Sequence, residues 1–205
     1  MRHRIRRIVN IVIAITAFAA WIWMTFGREG IFLKNGIGNL KFFTVLSNLM
    51  EGIASVVWLL SGNADAAMRD RAERFKFIAA VSVMLTFTTI MAFLGPLYGY
   101  GMMFIGANMF YHLLIPIAAF AEIVFLSERE YTLRDNNIAV IPTLLYGVFY
   151  ISNCVVNGPE NGDWYWFLAW GYPVGILIFI GICIVTWLLA FVMRKLQKRI
   201  LMNAR

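Results

Sequence analysis

Polar and apolar positions along this chain alternate in long blocks rather than within each helix turn or strand. Six predominantly apolar runs stand out, from about Ile8 to Phe26, Phe42 to Leu60, Phe75 to Leu94, Asn108 to Leu126, Ala139 to Val155 and Phe167 to Met193. At 1.5 Å of rise per residue each run is long enough to cross a hydrocarbon layer ~30 Å thick. Backbone N–H and C=O groups have no partners in hydrocarbon, so runs of this kind close their hydrogen bonds within a helix. The pattern predicts an all-α, polytopic membrane protein with six transmembrane helices in a single domain covering residues 1–205, with too little chain left over for a soluble domain.

Within the second run the polar residues are not scattered. Thr44, Asn48, Glu51 and Ser55 fall at i, i+4, i+7 and i+11 and line one narrow helical face, flanked by Ser47. A carboxylate facing lipid is costly, so this stripe is expected to point into the bundle. The fourth run carries a matching set, with Asn108 and His112 one turn apart and Glu122 deeper on the same broad side. Smaller polar faces occur on the third run (Ser82, Thr86, Thr89) and the fifth (Pro142, Tyr146, Asn153), and suggest a polar core with an apolar chamber above it.

Composition agrees: 61% of residues are hydrophobic and 14% charged, with a net charge of +7. Placing both termini in the cytoplasm puts 15 of the 18 Lys and Arg residues inside, leaving Arg28, Lys34 and Lys41 outside. The basic excess then reflects topology and anionic headgroups, and no nucleic-acid partner is implied. The chain is expected to reside in the cell membrane with membrane lipids as its partners. Trp21, Trp23, Tyr98, Tyr100, Trp164, Trp166 and Trp170 gather near the outer boundary, as an aromatic belt does. Ala17-Phe18-Ala19 resembles a signal-peptidase site, but Trp21-Ile22-Trp23-Met24 extends the run to spanning length, which favours a retained first span. Cys154 and Cys183 are expected at different depths, as separate thiols. No metal or organic cofactor is implied.

His3 lies in the basic tail, which leaves His112 as the one imidazole within a span. Both Thr44 and His112 sit near helix N-termini, where the macrodipole favours an incipient alkoxide and a neutral imidazole. Pro116 has no N–H for the His112 carbonyl, so the fourth helix is expected to open at the histidine. Topology places the two at a common depth, without predicting contact. The same residue types also serve as interhelical hydrogen-bonding groups or as a proton path, so an enzyme, a small proton-coupled carrier and a membrane scaffold are all consistent with the pattern.

The run Phe42-Phe43-Thr44-Val45-Leu46-Ser47-Asn48 and the run His112-Leu113-Leu114-Ile115-Pro116 resemble signatures of a bacterial family of six-span membrane proteins. That family is similar in turn to the androgen-induced and androgen-dependent membrane hydrolases of animals. The similarity extends to Asp163-Trp164-Tyr165-Trp166 and Gly171-Tyr172-Pro173. The resemblance implies an intramembrane threonine hydrolase acting on lipid or fatty-acyl esters, with Thr44 as nucleophile and His112 as general base. In that scheme Asn48 or Asn153 would donate to the oxyanion, and Asn108 would orient the imidazole. Glu51 and Glu122, ~10 and ~15 Å deeper by helical rise, would hold water or pair with tyrosine hydroxyls.

Overall fold

The computed structural model describes residues 1–27 and 36–203, and within them the side chain of every residue but Met102. Arg28, Lys34 and Arg205, which entered the orientation argument, lie outside the described residues. Among the described residues there is no strand, and six helices are long and apolar enough to cross a membrane. They are α1 (Arg2–Phe26), α2 (Phe43–Asn63), α3 (Ala66–Tyr98), α4 (Ala107–Leu126), α5 (Leu133–Asn157) and α6 (Tyr172–Asn203).

Two boundaries differ from the sequence pattern. Helix α1 begins at Arg2 rather than Ile8, because Arg6 is buried and paired inside the bundle and its turn is therefore helical. Helix α6 begins at Tyr172 rather than Phe167. Trp166 (φ 61°) and Gly171 (φ 86°) adopt left-handed backbone and bracket a run of turns that no helix can absorb. Asp163 ties these turns together by accepting from the N–H groups of Phe167 (2.9 Å) and Leu168 (2.7 Å) and from the Tyr150 hydroxyl.

Helix α3 is central. In its most apolar stretch 56% of residues are buried, against 17% in α6, which lies at the edge. Helices α1 and α2 cross closely because a small residue meets a smaller one: a Cβ on Gly52 would sit 2.9 Å from the Ala17 Cβ. Large apolar side chains such as Ile53, Leu145 and Leu177 point outward, while Glu51, Lys76 and Glu122 are wholly buried. This inverts the arrangement of a water-soluble protein and suits a hydrocarbon surround.

The helices are not uniform. Alpha-helical bonding gives way to wide π turns at Ile90–Leu94 in α3 and at Phe110–Leu114 in α4. Each ends two residues before a proline, Pro96 and Pro116, whose missing N–H breaks the regular ladder. A third π turn, Glu122–Leu126, ends α4.

Candidate functional site

Thr44 is the second residue of α2, so its N–H is among those that find no acceptor inside their own helix. Its neighbours are satisfied. Phe43 N–H donates to the Tyr165 hydroxyl (2.9 Å) and Val45 N–H to the Phe42 carbonyl (3.1 Å). Among the described residues neither the Thr44 N–H nor its hydroxyl has a hydrogen-bond partner. The side chain lines an apolar cavity of about 90 Å³ bounded by Phe43, Thr86, Tyr146, Tyr165 and Phe179. Burial, reinforced by the neighbouring Tyr146, pushes the Tyr165 phenol well above its ordinary range, so it remains a neutral hydroxyl.

His112 lies in the π turn of α4 and is buried. Its Nδ1 is 2.7 Å from the carbonyl oxygen of Met103, in the α3–α4 connection. A carbonyl only accepts, so the neutral imidazole carries its proton on Nδ1 and presents Nε2 as the acceptor. Met103 is thus the group that sets the tautomer. Asn108 makes no hydrogen bond to the ring, and its Oδ1 is buried without a partner among the described residues. His112 is not in the wall of the Thr44 cavity and does not hydrogen-bond the Thr44 hydroxyl.

Asn48 joins the two segments. Its Nδ2 donates to the Thr44 carbonyl (2.8 Å) and to the Tyr111 carbonyl (3.2 Å), one residue before the histidine. The second bond has a local cause: Ile115 N–H donates to Phe110 in the π turn and Pro116 has no N–H, which leaves the Tyr111 carbonyl for a side chain. With both amide hydrogens committed, Asn48 is a tie between helices rather than an oxyanion donor. The free donor beside the Thr44 oxygen is Thr44's own N–H. Ser47 bonds the Thr44 carbonyl and the Thr86 hydroxyl, each at 3.2 Å, and links α2 to α3.

Tyr146 forms the opposite wall. Its hydroxyl donates to the Lys41 carbonyl (2.7 Å) and accepts from Trp164 Nε1 (3.1 Å), which anchors α5 to the start of α2. The Phe43 and Tyr146 rings meet edge to face at 5.1 Å. The same two residues line a second hollow of about 410 Å³ between α2 and α5, whose wall includes Leu46, Met50, Leu145 and Phe149. Phe43 and Tyr146 are therefore the partition between the Thr44 cavity and the exposed apolar flank of the bundle. Asn153 bonds the Gly162 carbonyl (3.2 Å) and serves the α5–α6 connection, apart from Thr44.

Glu51 and Glu122 belong to a different structure. Glu51 pairs with Lys76, which also bonds Ser55 Oγ (2.8 Å) and stands 3.9 Å from Glu122. Glu122 accepts from Arg6 Nε (2.5 Å), and Arg6 reaches Glu73 with both remaining nitrogens (2.5 and 2.7 Å). The carboxylates are thus held by Arg6 and Lys76, not by tyrosines. In sequence both cations count only toward the cytoplasmic excess of positive charge, with no buried partner assigned to them. The signal was present in Lys76, which stands seven residues beyond Arg69 and next to Phe77 at the start of the apolar part of α3.

No three His, Cys, Asp or Glu side chains gather as a metal site among the described residues. Cys154 and Cys183 are free thiols. Compared with known proteins, the chain matches no family model, no curated protein and no solved structure.

Proposed function

We propose that this protein is an intramembrane hydrolase of lipid or fatty-acyl esters, with Thr44 as nucleophile and His112 as general base. It would be a multi-pass protein of the cell membrane with both termini cytoplasmic. The observation that carries the reading is the state of Thr44: a hydroxyl and an N–H, both without partners among the described residues, at a helix N-terminus on the wall of an apolar cavity. Threonines in membrane helices often bond back to a carbonyl, as Thr186 does to Ile182 at 2.8 Å. Thr44, in the first turn of its helix, has no such bond, a state it shares with Thr25, but of the two only Thr44 lines the apolar cavity.

In this scheme the Thr44 oxygen attacks the ester carbonyl carbon while its proton passes to Nε2 of His112. The developing oxyanion takes the Thr44 N–H. The C–O bond to the alcohol breaks and the alcohol leaves with the proton from His112. A water then adds to the acyl-threonine by the same route, releasing the acid and restoring the hydroxyl. The Met103 carbonyl holds Nδ1 and stabilises the imidazolium between the two transfers. His112 Nε2 must close on the Thr44 hydroxyl when substrate fills the cavity, as general bases often do only in the complex. The Phe43–Tyr146 partition is the portal through which an acyl chain would arrive from the bilayer.

Labelling of the detergent-purified protein by a long-chain fluorophosphonate, mapped by mass spectrometry, tests the reading. An adduct on Thr44 is expected, absent in Thr44→Val and slowed about a hundredfold or more in His112→Ala. Modification elsewhere, or none in a folded protein, overturns it. A carrier built on the carboxylates would show the opposite sensitivity, to Glu51→Gln and Glu122→Gln. The pairing of both carboxylates with Arg6 and Lys76 favours a structural role for them over that alternative.

A further inference from the structure

At the end of the bundle away from Thr44, a cavity of about 370 Å³ opens where the start of α1, the end of α2, the start of α3 and the end of α4 meet. Its volume falls in the range of ~300–1,000 Å³ typical of small-molecule sites. Its floor is the Arg6–Glu73 ion pair, in which Arg6 is also held by Glu122, with Trp58 against the Arg6 guanidinium at 4.4 Å. Above this floor stand Arg7 from α1 and Arg69 from α3, with His3 beside them. Neither Arg7 nor Arg69 forms an ion pair among the described residues, and with Glu128 also in the wall the three arginines and two glutamates that line the cavity leave a surplus of one positive charge. One side of the cavity is apolar, formed by Leu59, Leu60 and Leu126, and Leu60 is 76% exposed on the flank of the bundle.

We infer that this cavity is a binding site for a phosphate group, carried by an anionic phospholipid headgroup or by a small phosphate monoester. Arg7 and Arg69, from different helices, line one hollow; guanidinium forks match the oxygens of a phosphate, and a phosphate answers the surplus positive charge of the wall. The leucine side offers the glycerol backbone of a lipid a path outward to the bilayer. The site lies on the opposite end of the bundle from Thr44, and its existence does not depend on the hydrolase reading. It differs from a general attraction of basic tails to anionic lipid in being a walled hollow with two named cations.

Native mass spectrometry of the intact protein in detergent, with dioctanoyl phosphatidylglycerol as ligand, tests this. One tightly held lipid is expected. Arg7→Gln/Arg69→Gln should weaken it at least about tenfold, each arginine near a lipid surface contributing about fivefold. The charge-matched Lys195→Gln/Arg199→Gln, in the exposed tail of α6, should leave it unchanged. Equal loss in both double variants would mean diffuse charge attraction and overturn the site, and so would equal binding of phosphate-free dioctanoylglycerol. Competition by glycerol 3-phosphate would identify a soluble monoester as the source of the phosphate, and failure to compete would identify the lipid. Should the double variant lose its helical circular dichroism, Arg69→Gln alone carries the test with a loss of about fivefold.

Discussion

Asn48 shows how one side chain can couple two features that look independent in sequence. The π turn and Pro116 leave the Tyr111 carbonyl without an intrahelical donor, and Asn48 supplies one while also holding the turn of Thr44. Replacing Asn48 with Leu should cost about 1–3 kcal/mol, the range for stranding a buried acceptor. Restoring a backbone N–H with Pro116→Ala should recover part of that, so the double variant should cost less than the two single changes together. Denaturant titration in detergent measures all three, and strict additivity would separate Asn48 from the proline. At the same scale Thr44→Ser should keep its fluorophosphonate adduct, since the hydroxyl and the N–H both survive. Loss of the adduct in a folded Thr44→Ser protein would contradict a nucleophilic role.

Among the elements, α1 and α2 pack closely where Gly52 meets Ala17. Gly52→Val should separate these helices, because even the first added carbon would lie 2.9 Å from the Ala17 Cβ. Overpacking of this kind costs roughly 1–3 kcal/mol, and Ala17→Gly should relieve it, again read by denaturant titration. The opposite side of α2 meets α5 through Phe43 and Tyr146. Trimming Phe43 to Ala should widen the passage between the two hollows and speed labelling of Thr44 by bulky fluorophosphonates more than by small ones. Equal acceleration for all probe sizes would count against a lateral portal. Of the two π turns before prolines, the sequence foreshadowed one, as an opening of α4 at His112. Proline shows that a ladder breaks but not how the freed carbonyls are satisfied, which depends on the neighbouring helix.

For the molecule as a whole, the buried ion network of Arg6, Glu51, Glu73, Lys76 and Glu122 joins the first four helices. Lys76→Ala should destabilise by roughly 3–5 kcal/mol, because it strands Glu51 in a dry interior. Lys76→Met/Glu51→Met should recover most of this loss and keep Thr44 labelling, whereas a proton path through Glu51 would be abolished by it. Six helices long and apolar enough to span, the inward polar stripe of α2 and the polar faces of α3 and α5 were legible in the sequence, because long apolar runs in hydrocarbon satisfy their backbone within a helix and polar groups are pushed to one side of it. Which cation meets which carboxylate was not legible, since Arg6 and Glu122 lie 116 residues apart and either charge could equally face water at the end of a span. Likewise the sequence placed Thr44 and His112 at a common depth, from topology alone. That Asn48 ties their helices, that Met103 sets the imidazole tautomer and that the wall facing Thr44 is Tyr146 and Tyr165 were decided by tertiary packing, because each depends on how helices rotate about their axes and on where a connection folds back.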